Sequence, residues 1–200
     1  MPRNTSSKSS SKTTSKTTHH RHASEQDALE LLKEDHHRVT QMFDEFEKMK
    51  DDEDDEAMQL LVELACAELT VHARIEEEIF YPAVRETLEE TDLLDEAEVE
   101  HACAKQLITE LSAMQPGDDL YEAKFTVLGE YMKHHIQEEE KELFPKVKKA
   151  KMDLDTLGDE LRQRKMDLRE ELGIVEDDEE EEEEGNSKAS KSKSSRRSVH

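Results

Sequence analysis

Two stretches of this chain repeat one order of residue types: a histidine, a glutamate four positions later and a proline ten positions later. His72-Ala-Arg-Ile-Glu76-Glu77-Glu78-Ile79-Phe80-Tyr81-Pro82 aligns without a gap with His135-Ile-Gln-Glu-Glu139-Glu140-Lys141-Glu142-Leu143-Phe144-Pro145. On an α-helix, positions i and i+4 share one face, a turn apart. Each copy therefore commits a helix to presenting an imidazole and a carboxylate side by side. The stretches upstream match as well: Asp35-His36 lies 36 positions before His72, and Glu100-His101 lies 34 before His135. The chain reads as a duplicated two-helix hairpin, each half supplying His and then HxxxE.

The apolar periodicity agrees. Leu29, Leu32, His36, Val39, Phe43 and Phe46 alternate three and four apart, so 25–50 reads as an amphipathic helix with Ser24 as its N-cap and Asp27 in its first turn. A second helix starts near Ala57, after the acidic run 51–56, and carries Leu61, Leu64, Ala65, Glu68, Leu69, His72, Glu76 and Ile79. Pro82 should kink it or end its regular hydrogen bonding, because an interior proline lacks a donor and crowds the preceding turn. Thr91 caps a third helix with Leu94, Ala97, His101, Ala104, Ile108 and Leu111 in line. After the turn residues Gln115 to Asp119, a fourth carries Phe125, Leu128, Met132, His135, Glu139 and Leu143. A shorter, highly charged fifth helix spans 155–172, with Leu157, Leu161 and Leu168.

Four helices joined by short loops give an all-α, up-down-up-down antiparallel four-helix bundle over 25–150. The short fifth C-terminal helix, within 151–175, packs on its outside or caps one end. Residues 1–24 hold five basic groups and no acid, 176–184 are nine consecutive acids, and 185–200 hold five basic groups and no acid. These compositions read as disordered, solvated tails. The tails sum to +1, so the middle carries −25 against the net −24, which argues against nucleic acid as a partner of the core. No stretch approaches the ~18 apolar residues of a membrane span. The N-terminus has no apolar signal region, and two cysteines outside any CxxC pair suit a reducing cytoplasm.

The chemistry lies in His36, His72, His101 and His135 with Glu76 and Glu139, all placed on core-facing stripes. A buried carboxylate without a partner costs on the order of several kcal/mol, and a cation removes that cost. Nitrogen and carboxylate donors without thiolate suit iron, manganese or zinc, and bundle cores are where two-metal sites are built.

These residues carry a family resemblance. "LLKEDHHRV", "HARIEEEIFYP", "EHACAKQLI" and "HHIQEEEKELFP" resemble the hemerythrin-like, HHE cation-binding domain over residues 25–150. The resemblance implies a non-haem diiron centre bridged by the two glutamates and an oxo or hydroxo oxygen. Each iron would take two histidines, one oxygen from each bridging glutamate and the bridging oxygen. That leaves one position open to O2, NO or peroxide. The invertebrate oxygen carriers of this family have a further histidine four residues after the third-helix ligand; here that position is Lys105. The four-histidine, two-carboxylate set resembles that of the bacterial iron-centre repair proteins and some sensor domains.

Neighbouring groups sort by register. His37 and His134 are rotated about 100° from the ligand row and read as solvated. Asp35, Glu77, Glu100 and Glu140 are open between holding the ligand imidazoles and forming a charged surface. Tyr81, near Glu76 in sequence, is open between a part in redox chemistry and structural packing, with packing the leading reading, and Cys66 and Cys103 read as small buried residues rather than ligands. His19, His20 and His22 fall in a tail that fixes no geometry. The leading expectation is a cytoplasmic diiron module that binds or senses O2, NO or peroxide, or handles iron. Its alternatives are an enzyme decomposing peroxide or reducing NO at the same site, and a helical interaction protein with vestigial ligands.

Overall fold

The structure is a computed structural model, and it describes residues 26–50 and 54–174. The helices in order are α1 (Ala28–Met49), α2 (Asp55–Ile75), α3 (Tyr81–Thr87), α4 (Asp92–Leu111), α5 (Tyr121–Glu138), α6 (Phe144–Ala150) and α7 (Leu154–Leu172). Among the described residues there is no strand. Helices α1, α2, α4 and α5 form the antiparallel bundle, with α1 against α2 and α5, and α4 against α5. The tails expected at 1–24 and 176–200 lie outside the described residues, as does Ser24. Asp27 is the N-cap of α1, in a capping box with Glu30 that satisfies a donor at each end of the first turn.

α2 does not stop at the Pro82 signal. It runs into a π-helical turn, Glu76–Phe80, and continues as α3. α5 does the same through Glu139–Leu143 into α6, ahead of Pro145. In each turn the closing bond spans five residues, Tyr81 N–H to the Glu76 carbonyl and Phe144 N–H to the Glu139 carbonyl. The wider turn admits the proline ring and advances the helix phase, so that Phe80 and Tyr81 both stay buried.

Two apolar clusters form the core. One gathers Leu29, Leu32, Ile75, Phe80, Leu94 and Phe144 with Leu161 and Leu168 of α7. The other gathers Val39, Phe43, Val62, Leu69, Phe125 and Leu128. His36, His72, His101 and His135 fall between them in the chain register of each helix, as a buried polar belt.

Asp27 takes the place of Ser24, the expected cap of α1, and two further expectations change. Leu64 is exposed, because the buried row of α2 is Met58, Val62, Ala65, Leu69 and His72. Leu154–Leu172 is 19 residues long, comparable to the bundle helices, since Leu157, Leu161 and Leu168 dock it against the bundle.

Candidate metal centre

All six residues expected from the repeat converge in the belt. His36, His72, His101, His135, Glu76 and Glu139 are each at most 3% exposed. They form two groups: His36, His72, Glu76 and Glu139 in one, Glu76, His101 and His135 in the other. His36 Nε2 lies 3.2 Å from Glu139 Oε2, and His72 Nε2 3.2 Å from Glu76 Oε2. Across the belt, His101 Nε2 is 3.4 Å from Glu76 Oε2, and His135 Nε2 is 3.7 Å from Glu139 Oε2. Each carboxylate therefore faces a histidine from each half. Adjacent ligands on an ion with bonds of about 2.0–2.2 Å are separated by about this much.

A second ring of carboxylates holds the outer ring nitrogens. His36 Nδ1 bonds Glu140 at 3.0 Å, His101 Nδ1 bonds Glu77 at 3.0 Å and His135 Nδ1 bonds Glu100 at 2.9 Å. His72 Nδ1 faces Asp35 at the longer distance of 3.6 Å. The ring is cyclic: the acid beside each ligand serves the histidine of the next helix, α1 to α2, the first π turn to α4, α4 to α5, and the second π turn back to α1. With Nδ1–H donating outward, each Nε2 turns a lone pair inward.

A bound cation would satisfy that arrangement. His101 Nε2 and His135 Nε2 are 3.2 Å apart; with both Nδ1 atoms donating, two lone pairs confront each other. His36 Nε2, His72 Nε2, Glu76 Oε1 and Glu139 Oε2 are buried without a hydrogen-bond partner. Such orphaned groups cost the protein unless something satisfies them. The electrostatics of the polypeptide alone record the conflict. Burial and the neighbouring Glu139 charge drive the Glu76 carboxyl well above its usual range. Burial also pushes Glu139 up, but the close approach of the His36 ring and the charge of His135 bring it down to about 2. Burial lowers His72 to about 4. The donor set and the inward lone pairs fit bound cations.

Tyr81 is more than packing. Its hydroxyl donates to Glu139 Oε1 at 3.0 Å and approaches Glu76 Oε2 at 3.4 Å. Lys105 turns away from the centre and pairs with Glu77 at 2.5 Å. His37 is exposed, and His134 is exposed between Glu100 and Glu138. Cys66 is buried as expected, whereas Cys103 is exposed, because α4 buries Ala104 and His101 and turns Cys103 outward.

An antiparallel four-helix bundle with histidine–carboxylate pairs projecting inward from facing helices defines a class of cation-binding helical proteins. Within that class the chain belongs to the Hemerythrin HHE cation binding domain family, whose model matches residues 27–147. A solved structure of a Hemerythrin HHE cation binding domain-containing protein from Mycobacterium kansasii superposes with a TM-score of 0.62 at 25% identity, covering 73% of this chain and 89% of that one. A DNA nickase from a Nostoc species is 27% identical over 119 residues, 60% of this chain and 33% of that protein. The chain thus spans about a third of that relative's length. No helix among the described residues is long and apolar enough to cross a membrane.

Proposed function

We propose that this protein holds two iron ions, one between His36 and His72 and one between His101 and His135, with Glu76 and Glu139 spanning both. The observation that carries this reading is the sharing of Glu76 between the two groups of converging donors. Glu139, in the first group, also faces the other half, at 3.2 Å from His36 Nε2 and 3.7 Å from His135 Nε2. Iron, when bound there, supplies Lewis acidity and redox chemistry toward a small ligand such as O2, NO or peroxide. The chain's own residues orient the imidazoles, exclude water from the belt and keep a hydroxyl proton on Tyr81 beside Glu139. Burial, followed by the charges of Glu139 and Glu76, raises the Tyr81 hydroxyl well above its usual range, so it stays protonated. Manganese or zinc would fit the same donors, since affinity order alone does not select iron.

The expected role is binding or sensing of the small ligand, or handling of iron, in a reducing cytoplasm where Cys66 and Cys103 remain thiols. One observation favours a catalytic role, peroxide decomposition or NO reduction. The Tyr81 hydroxyl places a hydrogen-bond donor at the centre, 3.0 Å from Glu139. The nickase activity of the Nostoc relative is not carried over: the match covers 33% of that protein, and a net charge of −24 offers poor footing for a phosphate backbone.

The deciding experiment measures metal content per chain and the absorption spectrum of protein prepared anaerobically and then exposed to air. Two irons per chain with oxo-bridged ferric bands rising on exposure support the reading. One zinc per chain, or no metal, overturns it. Turnover of peroxide or NO above that of free iron separates the enzyme from the sensor.

A further inference from the structure

We propose that α7 is a latch on this centre: Lys165, by fixing Asp35, positions His72 and governs how long the ion between His36 and His72 is retained. The inference rests on the two-ion reading above and concerns a helix outside the matched family stretch, which ends at residue 147.

His72 is the odd member of the four histidines. Neither ring nitrogen has a hydrogen-bond partner. Its carboxylate stands at 3.6 Å, where the other three stand at 2.9–3.0 Å. That carboxylate, Asp35, is only 4% exposed, and its Oδ1 is taken by Lys165 of α7. Asp35 Oδ2 is thereby left facing His72 Nδ1. Lys165 is a positioning residue: it touches no donor of the centre and acts through Asp35.

α7 is fitted closely to the bundle. A Cβ on Gly158 would lie 2.9 Å from the backbone nitrogen of Ala28 and 2.9 Å from the Gln26 carbonyl oxygen, so only glycine lets the helix approach this far. Arg162 donates to the Gln26 carbonyl at 2.8 Å. Arg164 donates to Glu78, in the π turn beside Glu76, at 2.6 Å. Arg169 donates to buried Glu68 at 2.5 Å. The second half has a matching lysine, Lys105, on Glu77 behind His101, but Lys105 belongs to bundle helix α4. Only on the His36–His72 side does the lysine ride on an added helix. Asp35 is therefore held in place only while α7 stays docked on α1 and α2.

The test uses the full chain loaded anaerobically with two ferrous ions and mixed with a chromogenic ferrous chelator. In Lys165→Met, one ion per chain leaves at least ~10-fold faster than in the wild type, the lower end of the effect of removing a ligand's supporting partner, and the other leaves at the wild-type rate. Lys165→Arg restores slow release of both. Should Lys165→Met fail to fold, Asp35→Asn/Lys165→Met removes both charges and carries the same expectation. Release of both ions at the wild-type rate, or equal acceleration of both, overturns the latch. A wild-type chain that takes up no iron overturns the two-ion reading and the latch with it, whereas two retained ions with no effect at Lys165 overturn the latch alone.

Discussion

Tyr81 and Phe144 occupy equivalent places in the two halves of the bundle, yet only one of them carries a hydroxyl. Each closes a π-helical turn. Tyr81 stacks on His101 with ring centroids 5.7 Å apart, and Phe144 stacks on His36 at 5.8 Å. The duplication is therefore symmetric in shape and asymmetric in proton supply. Tyr81→Phe makes the halves alike. The variant should keep its fold and its iron, because the ring still fills the same space. It should lose about 1.5–3 kcal/mol of metal-free stability, the usual worth of a hydrogen bond to a charged group. Thermal unfolding of the metal-free protein and iron per chain measure the two effects; loss of iron from this variant would count against Tyr81 lying outside the ligand set.

Glu76 faces both halves, so its removal should affect both ions together. Glu76→Gln keeps the shape and removes the charge. In the metal-free chain the carboxyl is already driven toward its neutral form by burial and by Glu139, so its melting temperature should change little. What should vanish is the stabilisation by added metal, about 2.7 kcal/mol when free metal exceeds its dissociation constant a hundredfold. Melting curves with and without ferrous iron decide the matter. A Glu76→Gln protein stabilised by iron as much as the wild type would contradict the bridging assignment.

The six central residues were legible in the sequence because they violate a strong pattern, polar groups on apolar stripes, and do so twice at the same spacing. The outer ring was not. Asp35, Glu77, Glu100 and Glu140 each adjoin a central residue, but in a chain that is 40% charged an acid next to a histidine reads equally well as surface. What decides it is the order of helices around the bundle, which lets each acid reach the next helix. Lys165 is 130 positions from Asp35, and no local spacing joins them. Pro82 announced a kink or an end, but not that the helix would widen and continue, and the aligned Pro145 repeats the same turn. Cys103 and Leu64 failed for a simpler reason: each is apolar enough to suit a core, and one step of helical register put each outside.

The two cysteines should react very differently. Cys103 is exposed on α4. Cys66 is buried, and burial, followed by the nearby Glu63 charge, pushes its thiol up to about 12. Only the thiolate is nucleophilic. At pH 8 a thiol-alkylating reagent should modify one cysteine per folded chain, and peptide mapping should place it at Cys103. Cys66 should react only after denaturant is added. Equal modification of both in the folded protein would mean that α2 opens on the timescale of labelling.

The last prediction separates a buried ion pair's effect on stability from its effect on the site. Glu68 is 4% exposed and Arg169 7%, and the guanidinium donates to the carboxylate at 2.5 Å. Arg38, mostly outside, reaches Glu68 at 3.7 Å. Taking charges out of water is costly, and the pair offsets that cost only while both members are present. Arg169→Met should therefore destabilise the fold by about 3–5 kcal/mol, because it strands a carboxylate between α2 and α7. Adding Glu68→Leu should recover most of that loss, since two apolar side chains of similar volume pack where two ions were. Urea unfolding of the two single variants and the double variant gives the coupling energy directly. A double variant no more stable than Arg169→Met alone would show that Arg169 holds α7 through contacts other than Glu68.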